Sequence, residues 1–389
     1  MSFYLQQGYG KGDRLTSLGN DGRVDGIILS PADEDRETLA RTATQARTLN
    51  YRVILDPQSY IYSMDPQGEG RRHESHGLVL NNMHWSQDAR SVADHVDAVG
   101  SANDAIGIND QKIAPSCFQL SFSDVWTSLA LQYARTASTA WGSENTIATI
   151  AVDESAFSDW PTVERWLDVA TTVDARGFYL LVARGAGQYP LPPWDANRTA
   201  NMLRFIYTLS EINEYSIIWG YSDIEGLLGL GAGATSIASG WHYSLRHFRP
   251  SKWQPSTTAG GRSPAPRVHV NRLWTPIRTE GEASAIYQSS LREQIFTPLE
   301  LAKYDERHFE LWNRSDSQHQ HLRLLSRRAA RLGALPFAQR LDSLTKELSK
   351  ARELLNLCKA EDIALSPVYS SRIDNFLAAL EIFAESENL

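Results

Sequence analysis

Short runs of apolar, β-branched or aromatic residues alternate with stretches of helical periodicity through most of the first 280 residues. That order is expected of a parallel sheet wrapped by helices. "DGIILSP" (25–31) precedes a helical pattern, "EDRETLARTATQARTLN", and then "YRVILDP" (51–57). After a long polar segment, "CFQLSFS" (117–123) leads to "DVWTSLALQYARTASTAW", and "TIATIAVDES" (146–155) leads to "WPTVERWLDVATTVDA". "GFYLLVAR" (177–184), "YSIIWGYS" (215–222), "ATSIASGW" (234–241) and "RVHVNRLW" (267–274) complete eight strand candidates. Pro161 suits a first helical turn, where a missing N–H costs nothing, and Asp195 suits an N-cap.

Eight alternating units over about 250 residues match a (β/α)8 barrel of TIM type. An open doubly wound sheet would use the same alternation with one or two strands assigned differently. Beyond residue 285 the pattern becomes almost continuously helical, with Leu322, Leu325, Ala329 and Leu332, then Leu341, Leu344, Leu348 and Leu355, at helix-face spacing around breaks at Gly333 and Pro336. The expected organisation is a barrel over 1–284, with a long insertion at 58–116 and a basic loop at 246–272, followed by a helical C-terminal domain over 285–389. The Leu face of that domain needs a partner surface, either the barrel, a second copy or another protein.

Composition alters this picture in three places. With 42% hydrophobic and 22% charged residues the chain is ordinary globular protein, and no apolar run reaches the roughly 20 residues of a membrane span. Cys117 and Cys358 are too few for a disulfide framework or a cysteine-based zinc site, so a reducing cytoplasm is the expected compartment. The net charge of −8 argues against general affinity for nucleic acid, yet residues 246–278 hold seven Lys or Arg and no Asp or Glu. In "RHFRPSKWQPSTTAGGRSPAPR" five of those cations are interleaved with Phe248 and Trp253, a combination that grips phosphates and offers a stacking surface. Arg249, Lys252, Arg262 and Arg267 are the candidate phosphate contacts, and the Pro, Ser and Gly content predicts an exposed, mobile loop. An ordinary solvated insertion would read the same way.

Barrel chemistry sits where strands end and loops begin. Asp56 directly follows an apolar strand and suits a general base, or a turn cap before Pro57. Asp153 and Glu154 leave their strand in opposite directions, so one can face the mouth while the other caps a helix. Arg184 closes an otherwise uncharged strand, where its planar fork suits a phosphate, a carboxylate ligand or a neighbouring acid. Tyr221, Asp223, Trp241 and His242 follow later strands, and Gly240 allows close backbone approach there. Asp33, Gln58, Tyr60, Asp124, Asn271 and Arg272 occupy similar positions. His73, His76 and His84 in the long segment and His319 and His321 near the C-terminal helices form no convincing metal set, and no nucleotide-loop, nucleophile-elbow or zinc-protease motif occurs. No metal and no cofactor are expected.

At "YSIIWGYSDIEGLLGLGAGATSIASG" the layout of a strand ending in Gly, a short helix and a Gly-initiated strand resembles the late-barrel segment of the tRNA-guanine transglycosylase superfamily. The resemblance covers about 30 residues. It implies base exchange in a nucleic acid through a catalytic Asp at the end of the later strand, with a cysteine-rich zinc site. Here that strand reads "SIASGWHY" with no carboxylate, and the cysteines are missing, so no catalytic residue carries across.

The leading expectation is a cytoplasmic barrel that binds a nucleotide, nucleobase or nucleic-acid segment at its mouth, with transglycosylase- or hydrolase-like action on a glycosidic bond. Asp56 with Asp153 or Glu154 would supply acid/base chemistry. The alternatives are a catalytically silent barrel docking into an assembly, or into a homo-oligomer, through its helical tail, and a sugar- or small-acid-processing barrel enzyme.

Overall fold

A computed structural model describes residues 1–19, 24–80, 88–185, 189–254 and 265–389. Nine strands form one parallel sheet: β1 (Ser2–Gln6), β2 (Gly26–Leu29), β3 (Arg52–Leu55), β4 (Lys112–Ile113), β5 (Phe118–Gln119), β6 (Thr146–Asp153), β7 (Gly177–Ala183), β8 (Ser216–Trp219) and β9 (Ser236–Ser239). Their order is β3-β2-β1-β9-β8-β7-β6-β4, with β5 also on β6. Because β4 and β5 pair with the two ends of β6, they share one place in the ring. The result has eight positions. β3 and β4 touch without a ladder between them, so the (β/α)8 barrel is nearly closed.

The expected strand set needs correction in two places: one place in the ring goes to a strand outside that set, and one expected strand lies outside the ring. "SFYLQ" at the N-terminus, ahead of the first predicted strand, is β1, and it closes the ring by pairing with β2 on one side and β9 on the other. Phe3, Tyr4, Leu5 and Gln6 are all buried, which is why the segment shows no polar alternation. Residues 267–274 lie outside the barrel. They form β10 (Arg267–Val270) and, through a turn at Trp274, pair antiparallel with β11 (Thr275–Arg278). With β1 beside β9, no place in the ring remains for them.

The barrel helices are α1 (Arg14–Gly19), α2 (Arg36–Thr48), α3 (Ala89–Ala105), α4 (Thr127–Trp141), α5 (Trp160–Ala170), α6 (Ala196–Tyr207) and α7 (Gly226–Gly231). Asp35 and Asp195 cap α2 and α6 by accepting the N–H groups of Thr38 and Arg198, each at 2.9 Å. Gly233, in the left-handed region with φ +111°, turns α7 into β9.

The C-terminal region contains α8 (Ser284–Gln288), α9 (Arg292–Ile295), α10 (Pro298–Glu306), α11 (Arg314–Gly333), α12 (Phe337–Ala360) and α13 (Pro367–Glu387). The expected break between Gly333 and Pro336 separates α11 from α12. α11 packs on β1, with α1 and α7 as neighbours, in the place where the ring needs an eighth helix. Its Leu322, Leu325, Ala329 and Leu332 are buried, as are Leu344, Leu348 and Leu355 of α12, which lies on α7 and α13. The Leu face thus finds its partner within this chain, and the stripe that motivated a docking tail is covered.

The first half of the basic loop also departs from expectation. Phe248 and Trp253 are 1% and 4% exposed, packed over the C-terminal mouth of the barrel rather than standing in solvent. Residues 255–264, including Arg262, lie outside the described residues.

A chain ending at residue 284 should fail to give a soluble, cooperatively unfolding barrel, because it strips the cover from β1. Leu325→Ala in the full chain should lower the unfolding free energy by roughly 2–5 kcal/mol, measurable by denaturant titration.

Candidate functional site

The parallel register brings the ends of β1, β3, β7, β8 and β9 to one mouth, so Asp56 and Arg184 lie at the same end of the barrel. Asp56 follows β3 and is completely buried. Its carboxylate accepts hydrogen bonds from Tyr60 Oη at 2.8 Å and from the Gln58 N–H at 3.0 Å, and Tyr179 Oη lies 3.3 Å away. Tyr179, on β7, also donates to Gln6 Oε1 at 3.1 Å, so the last residue of β1 belongs to the same network. Gln58 continues it: Oε1 accepts from Ser30 Oγ and the Ala32 N–H, and Nε2 donates to Tyr221 Oη at 3.1 Å.

Burial pushes the Asp56 carboxyl up to about 6, against the opposing hydrogen bonds from Tyr60, the Gln58 N–H and Tyr179 and the charge of Lys252. Burial, and next the Asp56 charge, raise the hydroxyls of Tyr60, Tyr179 and Tyr221 well above the ordinary tyrosine range, so all three remain hydrogen-bond donors. Gln58 and Tyr221 both hold left-handed backbone, with φ 55° and 50°, at a cost of about 1 kcal/mol or more each for a residue with a side chain. Their mutual hydrogen bond helps to hold this strained pair beside the carboxylate. Gln6 Nε2, Gln119 Nε2 and Ser239 Oγ, on the last residues of β1, β5 and β9, are buried with no protein hydrogen-bond partner among the described residues.

Over this network lies an aromatic cover. Phe248 meets Tyr60 at 5.2 Å and Tyr221 at 5.6 Å between ring centroids, and Trp253 meets Phe248 at 5.4 Å. Lys252 pairs with Asp33 at 3.0 Å and sits 5.3 Å from the Tyr221 ring. The backbone of the cover is anchored where the Arg184 N–H donates to the Phe248 carbonyl at 3.0 Å.

A second buried set adjoins that anchor. Arg184 faces Glu154 at 3.5 Å and stacks over Trp194 at 4.2 Å. Asp223, after β8, accepts from Tyr189 Oη at 2.8 Å and lies 3.2 Å from His321 of α11, whose Nδ1 is 3.1 Å from His269 Nδ1. Burial works against the Asp223 charge, but His321, Arg246 and Arg372 outweigh it and hold the carboxyl well below its usual range. Glu225 behaves in the opposite way: burial and then Asp223 push it up to about 7, against the pull of Arg184. Burial and then Arg249 bring His247 down to about 4, and its two ring nitrogens have no protein partner among the described residues.

The structure therefore brings Asp56, Tyr221 and Lys252 into one set and Glu154, Arg184 and Asp223 into another. Other predicted residues serve the fold. Asp153 accepts from the Ser155 N–H and hydroxyl, capping a turn. Gly240 allows the close approach that the sequence suggested, but the approach is to its own chain: a Cβ there would lie 2.5 Å from the Gln6 carbonyl. Trp241, fully buried, donates Nε1–H to the Tyr9 carbonyl, and His242 lies 3.3 Å from Gln318 of α11. Arg267 binds Tyr369 Oη and the carbonyls of Tyr189 and Pro276. Arg249 is half-buried, with Nε unpaired among the described residues.

Sequence reading missed Gln6, Tyr179, Glu225 and His247. Tyr179 left a signal, since its hydroxyl is the one polar side-chain group in the strand "GFYLLVA". Among the described residues no cluster of three or more His, Cys, Asp or Glu is placed to share a metal ion, and no helix is long and apolar enough to cross a membrane.

No protein-family model matches the chain, and no curated protein matches it. Among solved structures it resembles the 3-dehydroquinate dehydratase of Aquifex aeolicus VF5, with 13% identity and TM-score 0.35 over 65% of this chain and 95% of that one. It also resembles the deoxyribose phosphate aldolase of Aeropyrum pernix, at 15% identity and TM-score 0.32 over 60% of this chain and 94% of that one. A D-psicose 3-epimerase matches at 12% identity and TM-score 0.30, over 65% and 90% of the two chains. Likenesses this distant bear on neither activity nor ligand, and the barrel itself rests on the strand pairing. The likeness to tRNA-guanine transglycosylases holds only at the level of the barrel, where residues 216–239 supply one strand, helix and strand.

Proposed function

We propose that the chain is a barrel enzyme whose covered mouth binds a neutral ring with hydrogen-bonding edges, a nucleobase, nucleoside or sugar, and that Asp56 performs acid/base chemistry on it at a glycosidic bond. The carrying observation is the buried Asp56 carboxyl, raised to about 6 among hydroxyl and amide groups. Such a value leaves it mostly ionised at pH 7 yet able to take a proton, as a general base requires. The unpaired donors of Gln6, Gln119 and Ser239 support ligand recognition, because a buried donor without a partner costs roughly 1–3 kcal/mol. The strain at Gln58 and Tyr221 belongs to the same argument.

Phosphate recognition by the basic loop has less support. Lys252 is paired with Asp33, Arg246 holds the carbonyls of Gly240 and Trp241, and Arg267 is held by Tyr369 and two carbonyls. A silent barrel is the second reading, favoured by the complete burial of Asp56 beneath Phe248 and Trp253.

Thermal-shift and calorimetric titration with nucleobases, nucleosides and monosaccharides, together with chromatographic detection of released base or sugar, separates the two. Wild type should bind at least one class, and Gln6→Ala should weaken that binding about tenfold, the equivalent of one lost hydrogen bond. Asp56→Asn should abolish turnover while retaining binding. If neither wild type nor a Phe248→Ala variant with its cover reduced binds any of these ligands, the silent reading stands and the enzyme reading falls.

The raised Asp56 value also has a stability signature. Protonated Asp56 favours the folded state, so its contribution is fully present below the unfolded value near 3.8 and is lost as pH rises through about 6. Asp56→Asn should therefore gain stability relative to wild type between pH 5 and pH 8, by up to roughly 3 kcal/mol. Urea unfolding across that range tests it, and a flat difference would contradict the raised value.

A further inference from the structure

A second site lies away from the mouth, where the β10–β11 hairpin, α10, α11 and α12 enclose a groove of about 480 Å3. That volume suits a nucleotide-sized group. Seven of its lining residues are Lys or Arg and two are Glu, in a chain whose overall charge is −8. Both acids are already engaged. Glu300 accepts the N–H groups of Asn271 and Thr297, and Glu347 takes Arg331, the Trp274 indole N–H and, through Nη2 at 3.7 Å, Arg328.

The cations are ordered. Arg323, Arg327 and Arg331 recur every four residues along α11, so they stand about 6 Å apart on one face. Between them Arg328, 6% exposed, lies 4.1 Å over the Trp274 ring and binds Asn271 through Nε and Nη2. Its Nη1 has no partner among the described residues, and neither does Arg327 Nε. Across the groove, Lys303 of α10 takes part in no ion pair among the described residues. The apolar wall is completed by Leu299, 52% exposed, and by half-buried Trp312, whose indole N–H donates to the Arg307 carbonyl and whose ring meets Phe309 edge-on at 5.0 Å.

We infer that this groove binds a single-stranded nucleic acid, with phosphates held between Arg327 and Arg328 on one wall and Lys303 on the other, and an unpaired base against Trp312. Guanidinium forks match phosphate oxygens, and an aromatic face accepts any base, so charge and stacking act together on a strand. A groove with room for one nucleotide suits bases that are not already paired. The inference goes beyond the reading of the barrel mouth and holds whether or not Asp56 is catalytic.

The test uses the full-length protein and fluorescence anisotropy with short labelled DNA and RNA strands, their duplexes and a polyglutamate peptide of similar charge, over a range of NaCl. Single strands should bind more tightly than duplex or peptide, with an affinity that falls as salt rises. Arg327→Ala combined with Lys303→Ala should flatten that dependence by roughly 0.7 in logarithmic slope for each phosphate that the protein no longer neutralises. Trp312→Ala should weaken binding roughly tenfold without changing the slope. Circular dichroism and the melting temperature should match wild type, since Lys303 is exposed and neither Arg327 nor Trp312 is fully buried. The assignment is overturned if no strand binds at low salt, if duplex or peptide binds as tightly, or if these folded variants bind like wild type.

Discussion

A parallel barrel must bury both faces of each strand, and in this chain that constraint falls hardest on β1. Phe3, Tyr4 and Leu5 lie in a strand that pairs on both edges, so it requires both a neighbour strand and an outer helix. The short α1 that follows β1 is too small to cover it. α11, more than 300 residues later in the chain, supplies the cover with Leu322, Leu325 and Ala329. The same pairing sets Gln6 at the mouth within reach of Tyr179, and so into contact with the Asp56 network. Closure of the sheet, placement of the C-terminal helices and construction of the site are thus one problem with one solution.

Charge at the mouth is managed by pairing and by withholding water. Asp56 has hydroxyl and backbone N–H donors but no cation in direct contact, and its proton affinity rises. Asp223 has His321, Arg246 and Arg372 around it and remains ionised, while Glu225, two residues on, is pushed in the opposite direction. Environments that drive neighbouring carboxyls apart are a way of holding an acid and a base in one fold. Phe248 connects the two sets physically, with its ring on Tyr60 and Tyr221 and its carbonyl on the Arg184 N–H.

The α11 helix has two faces with different duties. Leu322, Leu325 and Ala329 cover the barrel, whereas Arg323, Arg327 and Arg331 look into the groove shared with α10 and the β10–β11 hairpin. The 3.6-residue period makes both faces possible in one sequence, since apolar and basic stripes offset by one or two residues point in different directions. Arg328 lies at the boundary, stacked on buried Trp274 with one nitrogen still free among the described residues.

The alternation of apolar runs and helical periods was sufficient to indicate the barrel, because strand and helix periods are local properties of neighbouring residues. Strand-end position likewise singled out Asp56, Glu154, Arg184, Tyr221 and Asp223, and the breaks at Gly333 and Pro336 marked the turn between α11 and α12. Which run joins the ring is not local. Residues 267–274 have a strand pattern as good as that of "SFYLQ", but β1 takes the place next to β9 and leaves them to a hairpin. Nor does a list of cations reveal their partners: Lys252 meets Asp33 and Arg267 meets Tyr369 only through the fold, whereas Arg327 and Lys303, unremarked in the sequence, come together across a groove. Local spacing determines what each segment can become, while long-range pairing and burial decide which charges are neutralised within the chain and which are left unpaired.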